Sequence, residues 1–258
     1  VVAANGSAAS ILQWAEAGGL DNTQKRAFEV ATAAFLLTFY EEAILTNDQI
    51  CRTEATYRNE RNQLRILANR RKGNDNQLIC FLHGGGGCGK STVINLLRQY
   101  AREYCDLLGH PFTCRTIVVT AMSGVAATLI HGETAHSALY LNSKSEITEE
   151  QKRVWADTRL VIIDEISFAT AKDFKMIDET LRKLTEKPFE NYGGLNIIFA
   201  GDMRQLEPVK GEPVYSSHCH HFHGMLNCYI ELTGMHRFKS DPEWGERLNR
   251  FRKGEPTP

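Results

Sequence analysis

The sequence predicts an α/β fold, a mainly parallel sheet flanked by helices, with a helical region ahead of it. Three observations lead there. After residue 73, short apolar runs alternate with longer helical stretches, the pattern of strand and helix units laid on a parallel sheet. One apolar run opens into a glycine-rich loop and then a long helix, and two others end in acidic residues where strand gives way to loop. The 258 residues are 42% hydrophobic and 24% charged, enough for a substantial core and unlike a disordered or collagenous chain.

Other classes fall away on composition. Lys and Arg number 30 against 31 Asp and Glu, so a globally basic nucleic-acid binder is excluded and any such binding rests on local groups. No apolar run approaches the ~20 residues that span a bilayer, and the first residues lack the basic start and apolar centre of a secretory signal. A soluble, intracellular protein without a membrane partner is expected. Seven cysteines without a CxxC pair argue against a disulfide framework or a standard zinc knuckle, so reduced thiols are expected. A start without Met and a finish at Gly-Glu-Pro-Thr-Pro suggest a piece of a longer protein.

In chain order, residues 1–19 are small and weakly polar, and a flexible segment is expected. Residues 20–73 read as helical. A helix over 21–44 places Ala27, Val30, Ala34 and Leu37 on one face, with Asp21 or Asn22 as cap. A second helix over 48–72 ends at Gly73 and holds seven Lys or Arg against two Glu between residues 52 and 72. From 74 to 258, strands are expected at 78–82, 116–120, 160–163, 195–200 and 228–232. Helices are expected at 90–108, 123–130, 171–187 and 243–252, with 142–150 and 187–194 as surface connections.

Gly84-Gly85-Gly86-Gly87-Cys88-Gly89-Lys90-Ser91 has the spacing of a phosphate-binding loop, directly after an apolar strand and opening a long helix. Glycines let successive N–H groups turn inward around a phosphate, and the helix N-terminus adds a favourable dipole. The nucleotide-binding set is Gly85, Gly86, Gly87, Cys88, Gly89, Lys90, Ser91 and Thr92, with ATP as the ligand. Lys90 would neutralise charge on the β and γ phosphates and Ser91 would ligate Mg²⁺. In Leu160-Val161-Ile162-Ile163-Asp164-Glu165, Asp164 suits the magnesium shell and Glu165 the base that polarises a water. A third strand delivers Asn196 to Gln205, whose terminal amide suits sensing of the γ-phosphate or attacking water, or is an ordinary surface group.

In this order the signals resemble the Pif-type (petite integration frequency) DNA helicases, the RecD-like branch of superfamily one. Gly84–Ser91 resembles their motif I, Val161–Ser167 their motif II, and Phe199–Val209 their GDxxQLxPV motif III. Thr120 to Ser137 is similar to TAxTGxAAxxIxGxTxHS, with Ser123 in place of Thr. Leu20 to Gln24 resembles the LNxxQ adenine motif, and Leu232 to Phe238 resembles motif IV, with Phe238 where Gln is usual. The resemblance covers residues 20–258. It implies that 20–73 holds the adenine reader Gln24 and an inserted basic helix, and that 74–258 is the first RecA-like P-loop ATPase domain. It further implies that Arg237 meets the γ-phosphate and that the second RecA-like domain is a partner missing from this chain. The implied activity is ATP-driven 5′-to-3′ translocation on single-stranded DNA, in a nucleus or mitochondrion if the source is eukaryotic. The isolated chain would bind nucleotide and hydrolyse it weakly. The alternatives are a nucleotide-switched module that grips a strand or a protein without translocating, and a kinase, which leaves the 120–137 signature unexplained.

By the same resemblance Thr120, Ser123, Thr134, His136 and Ser137 line the single-strand path, although these residue types also serve as caps and turns. Tyr140 or Phe168 could stack on a base or belong to the core. Arg58, Arg61, Arg65 and Arg70 describe either a nucleic-acid track or a solvated helix face, the latter favoured by the interleaved Glu54 and Glu60. The histidine-rich 218–223 reads as structural rather than metal-binding, and Cys88 as a small residue rather than a redox switch.

Overall fold

The computed structural model describes residues 7–46, 54–68, 77–141, 146–216 and 219–255. The helical region comprises α1 (Ser7–Ala17), α2 (Asn22–Thr46) and α3 (Glu54–Leu67). The α/β region then runs β1 (Ile79–Gly84), α4 (Lys90–Leu108), β2 (Ile117–Ala121), α5 (Gly124–Leu129), β3 (Glu133–Thr134), α6 (Ala135–Ala138), α7 (Glu149–Trp155), β4 (Leu160–Asp164), α8 (Ala171–Leu184), β5 (Asn196–Gly201), α9 (His220–His223), β6 (Cys228–Leu232) and α10 (Pro242–Lys253). The six strands form one all-parallel sheet in the order β3-β2-β4-β5-β1-β6.

Both faces of the sheet are covered over β1, β2, β4 and β5, which is why those strands read as mainly apolar runs, whereas β6 at the edge leaves Tyr229 and Glu231 exposed. With the period of two, Cys80 and Leu82, Leu160 and Ile162, and Ile198 and Ala200 face a core shared with α2 and α4. Ile79 and Phe81, Val161 and Ile163, and Ile197 and Phe199 face the other core, with Phe174, Ile177 and Leu181 of α8. Parallel register fixes where the chemistry emerges. Asp164 aligns with Ala121, and His83 with Gly201, so the functional segments leave one edge of the sheet together.

Several boundaries differ from the expectations above. Residues 7–17 are helical rather than flexible: Ile11 and Ala15 are buried, Ser10 Oγ lies 2.6 Å from Tyr100 Oη, and Trp14 meets the Tyr100 ring edge-on at 5.4 Å. Tertiary partners on α4 stabilise a segment with weak intrinsic preference. The basic helix is described over 54–67, held to α2 by Leu64 and by Tyr40 Oη donating to Glu60; Arg70 and Gly73 lie outside the described residues. Within the expected connection 142–150, α7 begins on a Thr148/Gln151 capping box and buries Trp155. The connection 187–194 buries Tyr192, whose N–H donates to Asp178 at 2.6 Å and whose hydroxyl donates to the His221 carbonyl at 2.6 Å. Two residues are too few for β3 to show a period in sequence; it pairs with the end of β2. No helix among the described residues is long and apolar enough to cross a membrane.

Candidate nucleotide site

The phosphate loop joins β1 to α4 and is shaped by two glycines. Gly87 and Gly89 have φ of 86° and 89°, a region that side chains with a Cβ rarely adopt. Space adds to this: a Cβ at Gly87 would run into Arg237 Cβ, and one at Gly89 would push the Gln24 amide out of place. Gly89 caps α4 without any side-chain hydrogen bond, leaving the first-turn N–H groups to a ligand, and Ser91 and Thr92 are exposed on that turn. Lys90 folds back so that its ammonium donates to the Gly84 carbonyl at 2.6 Å. Cys88 is buried, and burial pushes its thiol up against the opposing pull of Lys90, which disfavours the reactive thiolate.

Gln24 reaches this loop from the helical region. Asp21 and Gln24 form a reciprocal cap at the start of α2: Asp21 Oδ1 accepts the Thr23 and Gln24 N–H groups, and Gln24 Oε1 accepts the Asp21 N–H. The other end of the Gln24 amide donates to the Cys88 carbonyl at 3.1 Å. Burial would raise the Asp21 carboxyl, but hydrogen bonds from Thr23, Gln24 and His236 lower it on balance. His236 lies 2.8 Å from Asp21 and precedes Arg237, whose own N–H donates to the Gly87 carbonyl at 3.3 Å. Gln24 and Arg237, far apart in sequence, therefore meet the same loop.

The acids lie at the ends of β4 and β5. Asp164 is buried, and its Oδ1 accepts the Glu165 N–H at 2.8 Å while Glu165 turns into the left-handed region at φ 55°. Burial pushes the Glu165 carboxyl up; Asp164 and Asp202 add to this and Lys90 opposes it. Its Oε2 is buried without a hydrogen-bond partner. Beyond β5, Gln205 is exposed and shares with Gly85, Gly86 and Arg237 a cleft of about 630 Å³. A glycine cradle, a lysine, a hydroxyl at the helix start and two acids, one with an unpartnered oxygen, make a donor set that fits a magnesium–nucleotide.

One residue at this cleft has no signal in the sequence. Arg252 in the last turn of α10 grips Asp202 with two bonds of 2.7 Å, from Nε and Nη2. Burial alone would raise the Asp202 carboxyl, yet hydrogen bonds from His83 and Arg252 hold it well below the usual range. No motif spacing ties Arg252 to the loop; only the fold does.

The residues expected along a strand path all have work within the fold. Thr120 is fully buried and donates to the Ile162 carbonyl at 3.1 Å, so it is an internal group rather than a surface contact. Ser123 caps α5 by accepting the Ala126 N–H at 3.2 Å, and Thr134 caps α6 by accepting the Ser137 N–H at 3.3 Å. Ser137 donates to Glu133 at 3.4 Å, and His136 Nε2 lies 3.7 Å from Asp173. Ser123, Thr134, His136 and Ser137 remain at least partly accessible. In the histidine-rich segment His218 lies outside the described residues, and His221 faces Asp178 at 3.6 Å. Among the described residues no group of three or more His, Cys, Asp or Glu could hold a metal ion.

With this geometry in place, comparison with known proteins is specific. A family model described as PIF1-like helicase matches residues 59–227. The ATP-dependent DNA helicase PIF1 of Emericella nidulans is 30% identical over 198 residues, covering 69% of this chain and 25% of that protein. The ATP-dependent DNA helicase RRM3 of Saccharomyces cerevisiae is 30% identical over 192 residues, with the same coverage of 69% and 25%. Among solved structures, Pif1 helicase from Candida albicans superposes with a TM-score of 0.55 at 25% identity, covering 70% of this chain and 42% of that one. Pif1 helicase from Bacteroides, in complex with ADP-AlF3 and ssDNA, gives a TM-score of 0.53 at 26% identity, covering 71% and 44%. The chain spans about a quarter of the length of these two curated relatives.

Proposed function

The chain belongs to the PIF1-like helicase family, and on that basis we propose that it is the ATP-binding motor half of an ATP-dependent 5′-to-3′ DNA helicase. The observation that supports this best is convergence. The phosphate loop, Asp164 and Glu165, Gln205 and Arg237 come from the ends of β1, β4, β5 and β6 and collect at one edge of one sheet, where α/β folds bind ligands.

In this reading the N–H groups of Gly87, Gly89, Lys90 and Ser91 and the Lys90 ammonium bind the β and γ phosphates, with Lys90 exchanging the Gly84 carbonyl for phosphate oxygen, while the Cys88 N–H donates to the Gly85 carbonyl and closes the loop. Ser91 and Asp164 would hold Mg²⁺, which supplies neutralisation of phosphate charge when bound. Glu165 orients a water and takes its proton; a half-buried carboxyl with raised proton affinity is suited to that role. Gln205 and Arg237, which line one cleft with Gly85 and Gly86, would meet the γ-phosphate, and Gln24, held between the Asp21 N–H and the Cys88 carbonyl, supports the loop. The strand of DNA would cross the rim of β2 and β3, touching Ser123, Thr134, His136 and Ser137, with Thr120 holding β2 to β4 beneath them.

Rapid turnover calls for an arginine from a second RecA-like domain, a contribution worth roughly 10³–10⁵ in related phosphoryl transfer. The described residues of this chain form one sheet. The chain alone is therefore expected to bind nucleotide and hydrolyse it slowly. Steady-state ATP hydrolysis with and without a single-stranded oligonucleotide tests this. Slow turnover with little stimulation is the expected result, and robust DNA-stimulated turnover by these 258 residues would sink the half-motor reading.

A further inference from the structure

We infer that Arg252 is a positioning residue of the nucleotide site, acting through Asp202 on the turn that presents Gln205. This rests on the nucleotide reading above and adds a residue to it. Asp202 is 1% exposed at the side chain, and each of its oxygens takes a 2.7 Å bond from Arg252, the bidentate geometry that gives the strongest carboxylate pairs. Asp202 also builds the turn that follows: its Oδ1 accepts the Arg204 N–H at 3.1 Å, and its carbonyl accepts the Gln205 N–H at 3.0 Å. Fixing Asp202 therefore fixes where Gln205 leaves the sheet.

The same guanidinium packs over the phosphate loop. A Cβ at Gly85 would lie 3.4 Å from its central carbon and from Nε. His83, one residue before the loop, completes the cluster, with Nε2 at 3.4 Å from Asp202 and 3.5 Å from Arg252. Two consequences follow from charge and geometry. Without Arg252, Asp202 is a buried carboxylate beside the place where phosphates enter, and it repels them. Without the fork, the 202–205 turn loses its anchor and Gln205 its fixed approach to a γ-phosphate.

The test is equilibrium binding of Mg–ADP and of a non-hydrolysable Mg–ATP analogue to the full chain, with thermal melts to establish folding. The variants are Arg252→Gln, Arg252→Lys, Asp202→Asn with Arg252→Gln, and Lys90→Ala. Arg252→Gln is expected to weaken both nucleotides, the triphosphate about tenfold more than the diphosphate. Adding Asp202→Asn should restore much of the shared loss by removing the unpaired charge, leaving the triphosphate preference low. Arg252→Lys keeps a cation without the fork, so diphosphate affinity should recover and triphosphate preference should not. Wild-type affinities and preference in Arg252→Gln, or in Arg252→Lys where the first variant does not fold, would overturn the proposal while Lys90→Ala still loses binding. Lys90→Ala binding like wild type would overturn the nucleotide reading, and the proposal with it.

Discussion

The phosphate-loop cleft and the segment from Thr120 to Ser137 lie on neighbouring parts of the same sheet edge, yet their polar groups are used differently. Around the phosphate loop, Glu165 Oε2 has no hydrogen-bond partner, Lys90 rests on a carbonyl it can leave, and the α4 N-terminus has no side-chain cap. In the second region the expected strand contacts already serve the fold. Thr120 bonds Ile162, Ser123 and Thr134 cap helices, and Ser137 bonds Glu133. An arrangement that is incomplete without a ligand points to chemistry; one complete in itself points first to the fold, and any strand contact is made on top of it.

This contrast depends most heavily on Glu165. Glu165→Gln is expected to retain Mg–ATP binding and to lose about 10²-fold or more in single-turnover hydrolysis. Stability should move the other way. A carboxyl whose folded value is raised above its ordinary 4.5 disfavours the folded state as pH climbs through that value, and the amide escapes the cost. Thermal melts from mildly acidic to neutral pH should therefore show Glu165→Gln gaining on wild type. A variant that hydrolyses normally would make Glu165 one more structural residue.

Asp202 gives the next largest effect, with the opposite sign in pH. Its folded value is depressed, so its contribution is fully present above the ordinary 3.8 and is lost as pH falls through the folded value. Asp202→Asn should cost about 3 kcal/mol at neutral pH by leaving Arg252 without its carboxylate, and it should flatten the loss of stability on acidification. An unchanged acid limb would mean that the pair does not shape the cleft.

Smaller effects are expected on the strand side. Thr120→Val should cost about 1 kcal/mol of stability through the lost bond to Ile162, with oligonucleotide affinity of the folded chain unchanged. Ser123→Ala should cost about 0.5–1 kcal/mol as a lost cap and should also weaken the oligonucleotide. Urea unfolding paired with oligonucleotide titration separates the two roles. If Ser123→Ala changes stability alone, that hydroxyl is a cap and nothing more.

The same differences mark how much of the molecule is legible in its sequence. The β1, β4 and β5 segments are readable because both faces of the sheet are buried there, giving apolar runs that end in Gly84, Asp164 and Gly201, while β6, at the sheet's edge, is readable from Ile230 and Leu232 on its one buried face. The phosphate loop is readable because φ near +90° and the close approach of Arg237 and Gln24 leave few residues besides glycine. Helix α1 is not, because its small residues gain order from Tyr100, 90 positions away. Arg252 is not, because a basic residue in the last turn of a helix is ordinary, and its pairing with Asp202 spans 50 positions. The roles of Thr120 and Ser123 stay open in sequence for a related reason: a hydroxyl that caps a helix and one that holds a phosphate look the same there.

Everything proposed for this cleft requires that it bind a magnesium–nucleotide through Lys90, and the motor reading requires further that it communicate with a strand of DNA. Titration of Mg–ATP analogue into wild type and Lys90→Ala, with and without a single-stranded oligonucleotide, tests both at once. Binding is expected to require Mg²⁺, to fall about 100-fold or more in Lys90→Ala, and to change when the oligonucleotide is present. Binding unaffected by loss of Lys90 would contradict the site, and tight binding indifferent to the oligonucleotide would contradict the coupling and leave a nucleotide-binding domain without a strand path of its own.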